Sequence, residues 1–210
     1  MVAKNKRSGE ATGLLVDFGG VLTTNIWASF AAFCSAEGLD PTTMKGLFRS
    51  DPDALAELRG LEKGELAEAD FEARFACRLG VSPDRLIARL FAGLGPDEAM
   101  IAAVAAIRGA GIPTGLISNS WGIGIYDRAP LHLFDATVIS GDVGLFKPQP
   151  EIYLLGAEKI SVAPSKCVFV DDLRENVAGA EAVGMTALLH RDSAATIARL
   201  GELFDLNPAV

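Results

Sequence analysis

Cysteine and histidine are scarce in this chain. Its three cysteines, Cys34, Cys77 and Cys167, are odd in number and far apart. No CxxC or mixed Cys/His spacing occurs, so a disulfide framework and a structural zinc site are excluded and free buried thiols are expected. With two histidines, His132 and His190, and no GxSxG, a Ser-His-Asp hydrolase lacks its parts. No stretch reaches the roughly 18 uninterrupted apolar residues of a spanning helix. The charged opening MVAKNKRSGE leads into only a short apolar run, which fits neither a membrane span nor a secretory leader, so the chain reads as cytoplasmic. Basic residues are outnumbered, 19 Lys and Arg against 27 Asp and Glu, for a net charge of −8. They form no run interleaved with aromatics, which argues against a nucleic-acid partner. A small anionic ligand would need its own local cation, and no segment specifies an oligomeric state.

What the chain does have is apolar residues, half of its 210, and a mean hydropathy of +0.28. That suits one core carrying an insertion. Residues 12–17, TGLLVD, read as a short buried strand running into the turn Phe18-Gly19-Gly20. From about Ile26 to Phe91 the pattern turns helical: Leu66, Phe71, Phe75 and Leu79 share a face, and four or five helices are expected. Asp40-Pro41, Asp51-Pro52 and Ser82-Pro83 read as caps followed by proline at the first helical position. From Asp97 onward helices alternate with strands: DEAMIAAVAAIRGAG leads to IPTGLIS, PEIYLLGAEKI to KCVFVDD, and ENVAGAEAVG to MTALLH. That alternation implies right-handed parallel crossovers. The expected fold is therefore α/β, a three-layer parallel sheet core of residues 1–22 and 97–210 interrupted by an all-helical domain, 23–96. Frayed ends are expected at residues 1–10 and about 205–210.

Four segments place a residue suited to phosphate chemistry where an apolar run stops: Asp17, Ser118, Lys147 and the pair Asp171-Asp172. Ligands of open parallel sheets bind at the carboxyl ends of the strands, so these distant segments would meet at one edge. Each also has a plainer reading. Asp17 could cap the glycine turn, Asp171-Asp172 the helix starting near Glu175, and Ser118-Asn119 a strand-to-helix turn, while Lys147 could be an exposed loop lysine.

In order and spacing, VDFGGVL, LISNSW, GLFKPQPEIY and FVDDLRENVAGA resemble the four motifs of the haloacid dehalogenase superfamily, over essentially the whole chain. The helical insertion is similar to the cap of its subfamily I, and a Rossmann-like core is implied. The resemblance makes Asp17 a nucleophile that forms an aspartyl-phosphate. It implies Mg²⁺ held by Asp17, the Gly19 carbonyl and Asp172, with Asp171 a second or water-mediated ligand. Ser118, Asn119 and Gly20 would bind the phosphoryl group, and Lys147 would balance the charge that builds in transfer. Two positions depart from the pattern. Gly19 stands where phosphatases of the superfamily carry an acid-base Asp, and Asn176 where many relatives carry Asp.

The implied function is a Mg²⁺-dependent phosphatase of small phosphorylated metabolites, sugar phosphates with good leaving groups among them. Gly19 also suits two alternatives: a metal-independent 2-haloacid dehalogenase, which the Asp171-Asp172 pair opposes, and a catalytically impaired protein that binds a metabolite or partner. Trp27, Phe30, Phe33 and Trp121 are read first as packing residues.

Overall fold

The computed structural model describes residues 11–127 and 129–206. Five parallel strands form one sheet: β1 (Gly13–Val16), β2 (Thr114–Ser118), β3 (Ala136–Ile139), β4 (Cys167–Asp171) and β5 (Thr186–Leu189), in the order β3-β2-β1-β4-β5. Strand alternation splits the apolar runs between two faces. Leu14 and Val16 of β1 face α6 (Glu98–Gly109) and α10 (Ser193–Phe204), in a cluster with Leu116, Val168, Val104 and Leu200. Leu15 faces the other way, with Ile117, Phe169 and Tyr153, toward α8 (Pro150–Lys159) and α9 (Arg174–Ala182). A strand buried on both faces reads as a continuous apolar run, which is why GLLV and CVFV stood out in the sequence.

Between β1 and α6 the chain forms α1 (Ile26–Ala36), α2 (Thr43–Ser50), α3 (Pro52–Glu62), α4 (Glu68–Leu79) and α5 (Leu86–Leu90). These helices have their own buried cluster, including Phe30, Phe71, Phe75, Leu86 and Leu90. Its entry and exit segments run side by side: Thr23 bridges Pro96, and Asp97 N–H donates to the Leu22 carbonyl at 2.9 Å. The helical block thus joins the sheet layer through one paired crossing beside β1.

Of the three proline caps, Asp51-Pro52 is as expected, with Asp51 accepting from the backbone N–H groups of Asp53 and Ala54. The other two are corrected. Asp40 accepts from Thr42 and closes a turn, so α2 begins at Thr43, and α5 begins at Leu86, behind Arg85 in a left-handed conformation. Cys34 and Cys167 are buried free thiols, whereas Cys77 is exposed, on the face of α4 opposite Phe71 and Phe75. Three elements were not expected: the edge strand β3, the one-turn helix α7 (Ser140–Val143) that follows it, and the last helix α10. The expectation of frayed ends falls at residues 1–10 and 207–210 outside the described residues. Among the described residues no helix is long and apolar enough to cross a membrane.

Candidate active site

The chain leaves β1 toward β2 and β3 on one side and returns to β4 and β5 on the other, so its switch point lies at the carboxyl ends of β1 and β4. Asp17 sits there, one residue past β1, its N–H extending the ladder to the Val170 carbonyl at 2.9 Å. Ser118 ends β2 and Asp171 ends β4.

Lys147 joins these segments. Its Nζ lies 2.7 Å from Asp17 Oδ1 and 2.7 Å from Asp171 Oδ2, with only 1% of its side chain exposed. It is therefore a buried counter-ion and not an exposed loop lysine. Burial opposes its charge, but Asp17 and Asp171 outweigh that and hold the ammonium protonated above its ordinary range. Asn119 fixes it from behind: Asn119 Oδ1 accepts from the Lys147 N–H at 2.8 Å, and Nδ2 donates to the Lys147 carbonyl at 3.1 Å. Asn119 lines the cavity, yet both ends of its amide are committed to this clamp.

Asp172 joins these two carboxylates without touching the ammonium. One oxygen each from Asp17, Asp171 and Asp172 lie within 4.8 Å of one another. Burial, then Asp171 and Asp172, push Asp17 up to about 7 against the pull of Lys147. Burial and Asp171 push Asp172 up to about 6. Asp171 differs: Leu173 N–H donates to its Oδ1 at 2.9 Å, and Asn176 Nδ2 lies 3.0 and 3.1 Å from its two oxygens. Asn176 thus orients Asp171, a job an aspartate at that position could not do as donor. Asp172 lines the open cavity, with Asp171 absent from its wall. Gly20 has a left-handed φ of 73°, and an added Cβ would stand 2.6 Å from Asp172 Oδ2. Its N–H donates to Thr23 Oγ1, so its place is against Asp172. An all-carboxylate set with surplus negative charge, in which Asp17 and Asp172 have raised proton affinity, suits a hard divalent cation such as Mg²⁺.

Two neighbours escaped the sequence reading. Tyr126 donates to Ser118 Oγ at 2.8 Å, which leaves the Ser118 proton available to a ligand oxygen; among the described residues that hydroxyl otherwise makes just a long 3.5 Å approach to the Asn119 carbonyl. Burial pushes the Tyr126 phenol up to about 12, so it stays a donor. Glu62, at the end of α3, lines the cavity near Asn119 and Lys147, and burial pushes its carboxyl up to about 7. One glutamate among many in the helical block carried no signal of this, and Tyr126 lies in an irregular segment without periodicity.

Asp17, Gly19, Ser118, Asn119, Lys147 and Asp172 line one side of a cavity of about 600 Å³ between the sheet edge and the helical block. Trp27, Phe30 and Trp121 also line it. Phe33 lies in the buried helical cluster under the Arg89 guanidinium.

A family model described as haloacid dehalogenase-like hydrolase matches residues 12–184. Among curated proteins, the chain is 29% identical over 178 residues to hexitol phosphatase A of Escherichia coli, covering 82% of this chain and 79% of that one. It is 28% identical over 149 residues to the sesquiterpene phosphatase astK of Aspergillus oryzae, covering 68% and 76%. The span differs widely among such relatives, from 76% and 79% of these two down to 20% of one and 8% of another. In fold it matches a Bacteroides thetaiotaomicron enzyme of the same family solved with magnesium and inorganic phosphate, at TM-score 0.66 and 21% identity over 86% of this chain and 94% of that one. With the family match spanning most of the chain, and both sheet and strand-end residues in agreement with it, this protein belongs to the haloacid dehalogenase-like hydrolases.

Proposed function

We propose that the protein is a Mg²⁺-dependent phosphatase of small phosphorylated compounds, working through an aspartyl-phosphate on Asp17. The supporting observation is the Asp17–Lys147–Asp171 bridge with Asp172 beside it at the cavity edge. Named phosphatases among the relatives point the same way. An Asp17 oxygen attacks phosphorus as the bond to the leaving oxygen breaks, and that oxygen keeps the electron pair. Water then attacks phosphorus, releasing inorganic phosphate and restoring the Asp17 carboxylate. Ser118 donates to a phosphoryl oxygen, Lys147 offsets the charge that accumulates there, and Asn119 acts by holding Lys147. Mg²⁺ would be held by Asp17, Asp172 and the Gly19 carbonyl, with Asp171 behind them; it would offset repulsion between the phosphoryl group and the carboxylates. Residues 23–96 serve as a cap over the core, 1–22 and 97–210, excluding water during transfer.

The test is a screen of phosphate esters and 2-haloacids, each with Mg²⁺ and with chelator. Phosphate release abolished by chelator is expected. Chelator-resistant halide release would instead establish the dehalogenase, the reading that Gly19 favours and the carboxylate cluster opposes.

The raised carboxyl groups give this a pH signature. Asp17 and Asp172, at about 7 and about 6, lie above the roughly 3.9 of an unfolded aspartate. Between about pH 4 and 7 the metal-free fold retains protons that the unfolded chain has lost, so its stability falls as pH rises. Mg²⁺ must displace those protons, so the rise in Tm that it produces should grow from about pH 5 to 7 and then level off. A Mg²⁺ shift of equal size at every pH would contradict this.

Gly19 leaves the leaving group without an acid at its usual place. An added Cβ there would stand 2.5 Å from Ile26 Cδ1, the tip of a side chain that has to turn aside. Gly19→Asp combined with Ile26→Ala should therefore outperform Gly19→Asp alone. It should accelerate alkyl phosphates by about 10²-fold or more and nitrophenyl phosphate far less. Equal acceleration of both would show that proton donation is not what the site lacks.

A further inference from the structure

We infer that the group carried on the substrate's phosphate is bulky, apolar and poor in hydroxyls, an aryl or long alkyl group and not a sugar. The inference rests on the reading in which Asp17 receives the phosphoryl group.

The cavity of about 600 Å³ has the size of a site for a whole organic ligand. Beyond the polar end its wall contains five aromatic side chains, Trp27, Phe30, Phe48, Phe91 and Trp121. Most of these rings meet edge to face: Trp27 with Phe48 at 6.2 Å, Phe48 with Trp121 at 5.9 Å and Phe91 with Trp121 at 5.4 Å. Trp121 reaches from the sheet layer into the helical cluster, so both sides of the cavity contribute to one apolar wall. Leu55, Leu94 and Leu173 complete it without belonging to any of the three buried clusters, and Leu173 is 37% exposed beside Asp172. An apolar ligand would cover these side chains, whereas a sugar would bring several hydroxyls against this aromatic and leucine stretch, which offers no side-chain acceptor. Each hydroxyl buried unpaired weakens binding about five- to a hundredfold.

The remaining charged side chains of the wall are Lys45, Arg49, Glu62 and Glu175. Lys45 stands over the Trp27 ring at 5.8 Å. With Arg49 on the same helix, it offers positive charge to an incoming phosphate on a chain of net charge −8. Gly19 agrees with this class of substrate on the aryl side, because a phenoxide departs without the proton an alkoxide needs.

The chain's two tryptophans, Trp27 and Trp121, both line the cavity, so intrinsic fluorescence reports its occupancy directly. Titration with n-alkylphosphonates from methyl to octyl, with Mg²⁺ and with chelator, should show Kd falling about three- to fourfold per added methylene until the cavity is filled. A hexose phosphate should bind no more tightly than inorganic phosphate. Chain-length-independent Kd values, or a hexose phosphate that binds more tightly than octylphosphonate, would overturn the inference. Parallel assays of phosphate release from nitrophenyl phosphate separate the two readings. Release with a flat phosphonate series would leave the phosphatase standing and remove the apolar substrate. A steep series with no release from nitrophenyl phosphate would remove the phosphatase and the substrate reading with it, leaving only an apolar ligand site.

Discussion

Asp17→Asn should reduce turnover of any phosphate ester the protein hydrolyses by at least about 10⁴-fold, the scale of losing a nucleophile. The substitution is nearly isosteric, and an amide oxygen can still accept the Phe18 N–H, which donates to Asp17 Oδ1 at 2.7 Å. The fold should therefore survive. The stability change should even be favourable in chelator, since burial and two neighbouring carboxylates already disfavour the charged form of Asp17. Initial rates with nitrophenyl phosphate and Mg²⁺, together with thermal melts in chelator, check both halves. A variant within tenfold of the parent rate would remove Asp17 from the nucleophile's role. A melt lowered by many degrees would show that Asp17 is instead a stabilising partner of Lys147.

Lys147→Met should damage fold and chemistry together. The side chain is enclosed and neutralises Asp17 and Asp171, each at 2.7 Å. Removing one partner of a buried ion pair typically costs about 3–5 kcal/mol, because the opposite charge is left stranded. For a chain of this size that corresponds to roughly 6–20 °C in Tm. The loss should deepen from about pH 6 to 8 as Asp17, poised at about 7, ionises. Adding Asp17→Asn to Lys147→Met should restore part of it, a coupling a double-mutant cycle reads directly. Mg²⁺ should also restore part of it by supplying positive charge to the same carboxylates. Activity should fall by about 10²–10³ beyond any loss of folded protein, the scale of one lost electrostatic contact to the transition state. Unchanged Tm and rate would contradict the counter-ion role.

Much of this arrangement was legible in the sequence because parallel strands buried on both faces leave continuous apolar runs that end abruptly in polar residues. β1, β2 and β4 did so, at Asp17, Ser118 and Asp171. β3 did not: it pairs only with β2, and Thr137 is exposed while Ala136 and Ile139 are half-buried, so ATVI shows no apolar run. α10 does carry a helical period, with Ile197, Leu200, Leu203 and Phe204 on one face, so it was legible in the sequence and its omission has no physical reason. At the site, residue types were readable but partnerships were not. That Asn119 clamps the Lys147 backbone, that Asn176 orients Asp171 and that Tyr126 donates to Ser118 depend on the spatial meeting of separate segments. The aromatic wall had the same ambiguity. Trp27 and Phe30 pack in the helical cluster and line the cavity at once, so reading them as packing residues captured half of what they do.

The covalent intermediate is the central claim, and trapping it is the most direct test. Wild-type protein turning over nitrophenyl phosphate with Mg²⁺ would be quenched in acid, digested and mapped by mass spectrometry. A phosphoryl group on Asp17, absent when chelator is present, is the predicted result. Sustained phosphate release with Asp17 never phosphorylated, or with the label on another residue, would contradict it.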